Sequence, residues 1–378
     1  MNIDRHTRQN NSLLEQKKVL HIGTLNRASA NRGVVQQLEW EQAAADDLDF
    51  HWSTELFTTD ADSSSGVLRL IPKLMRRFIL RRLYTHIRVR RAASNFDTII
   101  IRHAPLDPFG MFYPKSVRKK IWYVFHTNTD FYLRSRIKYI GRISARFDTL
   151  LTRLALRSGG RIIGVTEELI NVEQSRLKLG GKRSVVYPNG LYLPDWKEDI
   201  LDKRAGSIKI AFIASRFYDW NGLELIIESM CAKKKIQDCE LHLVGELFPH
   251  QRKMIEENGL YDQVIEHGVL DKHSIDRLLS RIDLTLGAFA LEKVNMVTAC
   301  TLKVRESLGS GVAVYSGHID VGFSDSSDFF KTGPADWYSI IEMARKNRGF
   351  SKENVRNWAR VRIDKNKLLE DLMSELKK

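Results

Sequence analysis

The chain has 378 residues, 43% of them hydrophobic and 28% charged, with a formal net charge of +14, an ordinary globular composition whose length predicts two or three domains. Its three cysteines, Cys231, Cys239 and Cys300, form no CxxC pair, which argues against a disulfide framework or a structural zinc site and favours a reducing compartment. The charged start of the chain is unlike a signal peptide and no long apolar run is present, so we expect a cytoplasmic protein without a membrane span.

The positive charge lies almost wholly in the first part of the chain. Residues 1–200 contain 33 Lys and Arg against 20 Asp and Glu, whereas residues 201–378 contain 27 against 26. A strongly basic half is attracted to a large anionic partner, either a phospholipid surface or nucleic acid. The nearly neutral half is expected to bind a small molecule through a few local charges.

In chain order, residues 1–16 predict a disordered lead and residues 17–23 a buried strand that ends at Gly23. A polar loop follows, and a helix is expected to begin at Gly33. A strand, a glycine-bearing loop and a helix form the first unit of a doubly wound sheet, in which such loops often face phosphates. Further strands are predicted at residues 98–101, 121–125, 161–165, 184–187, 208–214, 239–244, 264–266, 283–286 and 312–315.

Helical stretches alternate with these strands. This alternation predicts mostly parallel sheets, and two such series predict two α/β domains joined within residues 189–207. In the second half the helices are predicted at residues 222–230, 249–258, 273–280 and 302–310.

Residues 68–93 contain nine Lys and Arg and no acid, with Leu74, Phe78 and Ile79 at helical spacing. Such a stretch can lie on an anionic membrane, bind nucleic acid, or form a solvated helix whose apolar side packs in the core. We favour the membrane over nucleic acid, because no helix-turn-helix, zinc finger or RNP-like pattern is present. A second basic zone within residues 115–161 includes Arg134, Arg136, Lys138, Arg142, Arg146, Arg153 and Arg157.

Five segments in the second part of the chain occur in a characteristic order. They lie at residues 187–190 (Tyr-Pro-Asn-Gly), 213–223 (a strand, then Ser-Arg-Phe-Tyr-Asp-Trp-Asn-Gly), 241–245 (Leu-His-Leu-Val-Gly), 267–270 (His-Gly-Val-Leu) and 301–314 (Thr-Leu-Lys-Val-Arg-Glu-Ser-Leu-Gly-Ser-Gly-Val-Ala-Val). In this order and spacing they resemble the GT-B glycosyltransferases, particularly the retaining family 4.

The resemblance implies an α/β protein with two Rossmann-like domains that face each other across a cleft and close on the donor. It divides the chain into an acceptor domain at residues 17–195 and a nucleotide-sugar domain at residues 196–354. Residues 355–378, which include Trp358, resemble the C-terminal helix that crosses back to the first domain in this fold.

The resemblance also assigns roles around the nucleotide. Glu306 would accept hydrogen bonds from both ribose hydroxyls, for which a carboxylate has two acceptor oxygens. Arg216 follows a predicted strand, where ligands bind in open α/β sheets, and its guanidinium would clamp the diphosphate. Asn221 stands where the family often has lysine or histidine, and Lys303 could supply a second positive charge.

One position departs from the family pattern of two glutamates separated by seven residues. Thr298 stands in place of the first glutamate, which in the family lies near the donor sugar or the reaction centre. Glu292 is the nearest acid upstream. The backbone N–H groups of Cys300, Thr301 and Leu302 lead into a helix and could still hold phosphates.

In the first half, two histidines follow predicted strands. His126 is the better catalytic candidate, since GT-B enzymes often place a histidine at such a strand end, facing the donor sugar; His103 is the second candidate. Either could instead be a capping or core histidine. Gly23 and the loop after it would approach the diphosphate or the acceptor.

Together these residues favour an enzyme that moves a sugar from a nucleoside-diphosphate sugar to a lipid-linked or polysaccharide acceptor at the membrane, with retention of configuration. Neither a metal nor a cofactor beyond the donor is expected, and Asp47-x-Asp49 and Asp60-x-Asp62 read as solvated turns. A non-catalytic nucleotide-binding or scaffold protein of the same fold is the alternative, and an enzyme similar to UDP-sugar 2-epimerases is a further one.

Overall fold

The chain divides into two compact units, one formed by Met1–Pro188 with Lys365–Lys378 and the other by Asn189–Asp364. The predicted lead at residues 1–16 and residues 68–72 of the basic stretch lie outside the described residues. The computed structural model describes residues 17–25, 32–58, 73–136, 139–157, 159–193, 204, 206–232, 238–323 and 327–378.

The first unit alternates strands and helices along the chain. Its strands are β1 Val19–Leu25, β2 Trp52–Thr58, β3 Thr98–Arg102, β4 Ile121–Phe125, β5 Arg161–Gly164 and β6 Ser184–Val186. Its helices are α1 Arg32–Asp47, α2 Lys73–Ala92, α3 Lys115–Arg118, α4 Thr129–Arg136, α5 Gly141–Leu156 and α6 Glu167–Leu177. The strands form one parallel sheet in the order β2-β1-β3-β4-β5-β6.

The central strands of this sheet are apolar along their whole length. Ile99, Ile100 and every residue of β4 are buried, as expected for a parallel sheet covered on both faces. The edge strand β2 is different, because Trp52 alone is buried and polar residues interrupt its apolar ones. Strand β2 was not predicted from the sequence, because a run of mixed polar and apolar residues lacks the continuous apolar pattern of a buried strand.

The second unit repeats this plan. Its strands are β7 Ile208–Arg216, β8 Cys239–Glu246, β9 Val264–Gly268, β10 Leu284–Leu286, β11 Thr298–Ala299, β12 Ala313–Ser316, β13 Ile319–Asp320 and β14 Phe330–Thr332. Its helices are α7 Leu223–Ala232, α8 Pro249–Glu257, α9 Lys272–Leu279, α10 Leu302–Gly309, α11 Trp337–Arg348 and α12 Lys352–Ile363. Six strands form a parallel sheet in the order β14-β12-β10-β7-β8-β9, and β11 pairs with β13.

The two units divide the chain differently from the predicted domains. Leu191 N donates a hydrogen bond to Ile363 O over 2.8 Å, and Leu191 forms a β-bridge with Asp364. Residues 189–193 and 355–364 therefore belong to the second unit, whereas we expected the former in the first domain and the latter in the crossing helix. The helix that returns to the first unit is α13, Lys365–Lys377.

A buried lysine attaches α13 to the first unit. Lys365 Nζ donates to Gln37 Oε1 over 2.9 Å and to the Tyr187 hydroxyl over 3.3 Å, and it lies 3.7 Å from a carboxylate oxygen of Glu41. Glu41 also contacts His21 Nδ1 at 2.6 Å. Burial alone would raise the pKa of Glu41, but His21 and Lys365 hold it below its ordinary value, so this buried acid is ionised.

Gly245, at the end of β8, has a conformation that only glycine adopts readily. Its φ is 133°, and a Cβ would lie 2.0 Å from the carbonyl oxygen of Ala214. We expect Gly245→Ala to lower the free energy of unfolding by about 3 kcal/mol or more, because backbone strain and a clash with β7 act together. Urea unfolding followed by tryptophan fluorescence measures this loss.

Gly259→Ala is the matched control. Gly259 also has a positive φ of 62°, but nothing lies within 4 Å of the added Cβ. This variant should lose only about 1–2 kcal/mol, the cost of a left-handed residue. Equal losses in the two variants would contradict the close approach of β7 to Gly245.

Candidate functional site

A depression in the second unit lies at the carboxyl ends of β7 and β10. The chain runs from β7 through β8 to β9 in one direction and then returns to β10 on the other side of β7. This is a topological switch point, where ligands bind in doubly wound sheets. The depression is open to solvent. Its walls are residues 212–216, 220–221, 286–288 and 301–304.

Backbone hydrogen bonds join the loops that follow β7 and β10. Phe289 N donates to Asn221 O over 2.9 Å, and Ala290 N donates to Trp220 O over 3.2 Å. Gly222 has a φ of 74°, and a Cβ there would lie 2.9 Å from the Phe289 side chain. Glycine therefore allows the two loops to approach closely. Their backbone hydrogen bonds join them into one wall of the depression.

Asn221 brings an unsatisfied polar group to this wall. Its side chain is 6% exposed, and Oδ1 is buried with no hydrogen-bond partner in the part of the chain that the structure describes. A buried amide without a partner is costly, and the amide can both donate and accept. Asn221 therefore has an unused acceptor oxygen beside the depression.

Arg216 is held at the edge of the depression by a carboxylate. Its Nε donates to Glu246 Oε2 over 2.8 Å, and a second guanidinium nitrogen contacts the other oxygen. The hydrogen bond to Glu246 raises the pKa of Arg216, so the guanidinium is charged. Both side chains are exposed, and exposed pairs are weak, so an anionic ligand can replace Glu246.

The start of α10 forms the remaining wall. Thr301 is its N-cap residue, but the Thr301 side chain makes no capping hydrogen bond to the first turn. Leu302 and Lys303 follow on the wall, and Lys303 is exposed. A helix N-terminus of this kind offers N–H donors and a partial positive charge to an anion. Five predicted nucleotide residues, the three here with Arg216 and Asn221, thus line one depression.

Three other predicted residues lie beside the depression and do not line it. Thr298 is in the short strand β11, and Glu306 is half-buried, one turn further along α10 than Leu302. Cys300 is buried, and its Sγ accepts a hydrogen bond from Asn189 N over 3.0 Å. The Cys300 side chain is therefore occupied within the fold, and the ribose role of Glu306 stays a prediction.

A buried ion pair that we did not anticipate supports these walls. Arg305 donates to the two carboxylate oxygens of Asp320 over 2.5 and 2.7 Å, and its Nε donates to Asn189 O over 2.6 Å. Burial alone would lower the pKa of Arg305, but Asp320 raises it above its ordinary value. The motif at residues 301–314 contains Arg305, yet nothing in the sequence names Asp320 as its partner.

In the first unit, His126 follows β4 and is surrounded by cationic side chains. Its pKa is lowered well below the ordinary value, first by burial and then by the charges of Arg102, His21 and Lys365. His126 is therefore a neutral imidazole at neutral pH. A neutral ring can donate one hydrogen bond and accept another, but it does not supply positive charge.

His103 lies on a separate depression in the first unit. The ring stacks on Phe125 with centroids 4.4 Å apart, and Nε2 shares a hydrogen bond of 3.1 Å with Thr152 Oγ1. Burial lowers the pKa of His103 below its ordinary value, so it too is neutral. His103 and His126 follow neighbouring strands of the sheet, as predicted, but only His103 lines this depression.

Several polar side chains line the depression beside His103. The Tyr123 hydroxyl on the same depression is buried and has no hydrogen-bond partner within the described ranges. Arg102 lines it as well, and burial lowers the pKa of Arg102 to about 10. Burial also raises the pKa of Asp107, the one acid on the wall. The wall of this depression therefore contains several side chains that can form hydrogen bonds.

Two predictions for the first unit, the role of Gly23 and the membrane contact of the basic stretch, stay predictions. A Cβ on Gly23 would lie 2.6 Å from the Leu38 side chain of α1, so this glycine is explained by the close packing of α1 on β1. Gly23 lines neither depression, and most of the loop after it lies outside the described residues. Among the described helices, which include α2 of the basic stretch, none is long and apolar enough to cross a membrane.

No protein-family model and no curated protein sequence matches the chain. Solved structures match nearly all of it. The lipopolysaccharide outer core galactosyltransferase WaaB, in its apo form, is 9% identical with a TM-score of 0.62, and the match covers 95% of this chain and 99% of WaaB. Anabaena HepE, solved with UDP and glucose, is 15% identical with a TM-score of 0.61, covering 96% of this chain and 100% of HepE. WaaG, a glycosyltransferase of lipopolysaccharide biosynthesis, is 14% identical with a TM-score of 0.56 and is covered to 98%.

These similarities, at such low identity, show the fold. The chain has the fold of these GT-B glycosyltransferases, with two Rossmann-like units that each contain a parallel six-stranded sheet. The fold class expected from the five motifs is therefore confirmed.

The buried ion pair leads to a stability prediction. Asp320→Leu leaves the Arg305 charge buried without its partner and should lower the free energy of unfolding by about 3–5 kcal/mol. Adding Arg305→Met removes that charge, so the double variant should recover most of the loss. Urea unfolding of both variants and the wild type measures the difference. A double variant no more stable than Asp320→Leu would show that the unpaired charge is not the cause.

The neutral state of His126 predicts how stability depends on pH. Below about pH 6.5 the unfolded chain protonates this histidine while the folded protein does not, so stability should fall as the pH decreases. His126→Gln removes this contribution and should reduce the slope between about pH 5 and 6.5 by up to about 1.4 kcal/mol per pH unit. Denaturant unfolding across this range measures the slope.

His51→Gln is the control, because His51 is exposed in the same unit. The control should keep the wild-type slope. If His126→Gln also keeps it, His126 binds a proton as readily in the folded protein as in the unfolded chain.

Proposed function

We propose that the protein is a glycosyltransferase that binds a nucleoside-diphosphate sugar in the depression of the second unit and transfers the sugar to a lipid-linked or glycan acceptor. The observation that carries this proposal is that one depression, at the switch point of the sheet, brings together several hydrogen-bond donors. They are Arg216, Asn221 and the start of α10. HepE, which is similar in fold, was solved with UDP and glucose.

Each wall residue suits a part of the donor. Glycosyl transfer breaks the bond between the anomeric carbon and the diphosphate, and the leaving group develops negative charge. Arg216 and Lys303 supply positive charge, and the first-turn N–H groups of α10 supply hydrogen bonds. With these groups a metal is not required, and we propose a metal-independent reaction. Glu306 would bind the ribose hydroxyls, as the resemblance implies.

His126 would act through its neutral ring. An imidazole with a strongly lowered pKa can accept a hydrogen bond from, or donate one to, a sugar hydroxyl without placing a second positive charge beside the reaction centre. We propose His126 for this role, with His103 and its depression as a contact for acceptor hydroxyls. We propose retention of the anomeric configuration because of the resemblance to family 4. Since Thr298 stands in place of an acid, the anomeric configuration of the product tests this part of the proposal.

The class of acceptor is proposed from the charge of the chain and from the solved structures that it resembles. WaaB is a lipopolysaccharide outer core galactosyltransferase, and WaaG is a glycosyltransferase of lipopolysaccharide biosynthesis. The first half of this chain is strongly basic, which suits an acceptor displayed at an anionic membrane. We therefore propose a cytoplasmic protein that works at the inner membrane face.

Two observations favour a second candidate, a nucleotide-binding protein without turnover. Thr298 replaces the first acid of the family pattern, and Arg216 already has a carboxylate partner in Glu246. Release of a free nucleoside diphosphate from the donor, with or without acceptor, separates the two candidates. A protein that binds the nucleotide but releases none from any donor tested would belong to the second class.

Nucleotide binding should be visible as a shift in thermal unfolding. UDP, GDP, ADP, CMP and NAD are compared, and a ligand at 100 times its dissociation constant adds about 2.7 kcal/mol of stability. One nucleoside diphosphate should raise the melting temperature, and Glu306→Ala should abolish the shift. Arg216→Ala should weaken binding on the order of tenfold, since a charged hydrogen bond is lost, whereas Glu246→Gln should strengthen it by releasing Arg216.

Arg252→Ala is the control, because Arg252 forms a similar exposed pair with Glu266 and does not line the depression. It should bind the nucleotide as the wild type does. No shift with any diphosphate at millimolar concentration, or a shift with NAD alone, would exclude the proposed donor site.

A further inference from the structure

Helix α5 of the first unit presents an apolar row to solvent in addition to its buried face. The buried face contains Ala145, Leu151 and Ala155. The exposed row follows a spacing of three and four residues, which places its members on one side of the helix. Its members Ile140, Ile143, Phe147 and Leu150 are 55%, 68%, 54% and 52% exposed, and the neighbouring Tyr139 is fully exposed.

A row of arginines runs beside this apolar row. Arg142, Arg146, Arg153 and Arg157 are all exposed. Their spacing of four, seven and four residues aligns them along the helix next to the apolar residues. In the described part of the chain none of the four forms an ion pair, although Arg134 in α4 pairs with Asp130.

The helix offers no negative charge on this side. Asp148 is its one acid, and it is fully buried, with Arg176 donating to it over 2.8 Å. The exposed side of α5 is therefore both apolar and purely cationic. Large apolar residues gathered on one surface indicate an interaction site, because monomeric proteins seldom leave such patches uncovered.

We propose that this α5 face, formed by residues 139–157, docks the protein on an anionic lipid surface. The apolar row would enter the boundary between headgroups and acyl chains, and the arginines would contact lipid phosphates, as in helices that lie in the membrane plane. The face would bring a lipid-linked acceptor to the proposed enzyme, and to that extent the inference rests on the proposed function.

The charge pattern decides between this occupant and others. A second copy of the chain would bring two rows of unpaired arginines together, which is unfavourable. Nucleic acid would pair with the arginines but would leave the apolar row exposed to water. An anionic bilayer satisfies both rows at once.

The α5 face also differs from the basic stretch at residues 68–93. In α2, Arg82 is buried, and Arg88 is paired with Glu55. Leu83 and Ile87 are exposed there, but only to 36% and 41%. We therefore place the proposed lipid-binding surface on α5 and not on the stretch that the sequence favoured.

Sedimentation with vesicles tests the inference without donor or acceptor. Vesicles of phosphatidylcholine alone are compared with vesicles containing roughly one-third phosphatidylglycerol. The wild type should bind the anionic vesicles and not the neutral ones. Arg142→Gln with Arg146→Gln should weaken binding about 30-fold, and Ile143→Ser with Phe147→Ser should weaken it about tenfold or more at unchanged charge.

Two double variants serve as controls. Arg277→Gln with Arg281→Gln removes the same charge from exposed positions of the second unit and should leave binding within about threefold of the wild type, since the charges near the lipid remain. Leu83→Ser with Ile87→Ser tests α2 and should have a similarly small effect. Each variant is also melted with the nucleotide, because a folded protein keeps its ligand-induced shift.

Several results would overturn the inference. Failure of the wild type to bind anionic vesicles would do so, as would wild-type binding by both α5 variants. Loss in the α2 variant alone would assign the surface to α2. A concentration-dependent dimer that Ile143→Ser with Phe147→Ser abolishes would assign the face to a second copy. The absence of a nucleotide-induced shift would refute the donor site but would not change the vesicle result. Failure of the proposed function is therefore distinguishable from failure of this inference.

Discussion

A buried ion pair fixes the walls of the depression in the second unit. Arg305 lies in α10, Asp320 lies in β13, and Asn189 stands at the beginning of the unit, yet all three meet in one cluster of charge-assisted hydrogen bonds. An unpaired charge at this place would be strongly unfavourable, so the three segments have essentially one arrangement available. That arrangement orients α10 so that its first turn, with Thr301 and Lys303, forms a wall beside the end of β7. The groups proposed to bind the diphosphate are thus preorganised by a contact that lies outside the depression.

The first unit follows the opposite electrostatic principle at its histidines. His126 and His103 are both partly buried, and around His126 the neighbouring charges of Arg102, His21 and Lys365 add to the effect of burial. A group that is kept neutral in this way can orient a hydroxyl but cannot stabilise a departing diphosphate. The cationic groups proposed to bind the diphosphate lie in the second unit, whereas the two histidines of the first unit are neutral. The charge totals of the two halves do not predict this division, because the second half is nearly neutral overall. It depends on individual residues of the second unit, Arg216 and Lys303.

The sequence predicted the parts of the fold that depend on local patterns. Buried parallel strands read as continuous apolar runs, and the residues after them gather at one edge of the sheet, which is why Arg216, Asn221 and the start of α10 were found together. It could not predict the partner of Arg305, since Asp320 is 15 residues away and belongs to a two-residue strand without periodicity. The division between α12 and α13 was missed for a related reason. Helical spacing continues on both sides of Asp364, and the change of unit at that residue depends on its bridge to Leu191.

The basic charge of the first half shows how sequence totals and surfaces differ. In α2 the arginines are partly consumed by the fold: burial lowers the pKa of Arg82 to about 10, its guanidinium donates to the Phe78 carbonyl and lies over the Phe78 ring, and Arg88 pairs with Glu55. In α5 the arginines form no ion pair with any described residue, and the one acid of that helix is buried and accepts a hydrogen bond from Arg176. A dense run of basic residues therefore predicts attraction to an anion less well than a sparse row that the fold leaves unpaired. An arginine that is already paired with a carboxylate contributes little to the long-range electrostatic field. Exposed apolar residues beside unpaired arginines favour a partner that is both anionic and apolar.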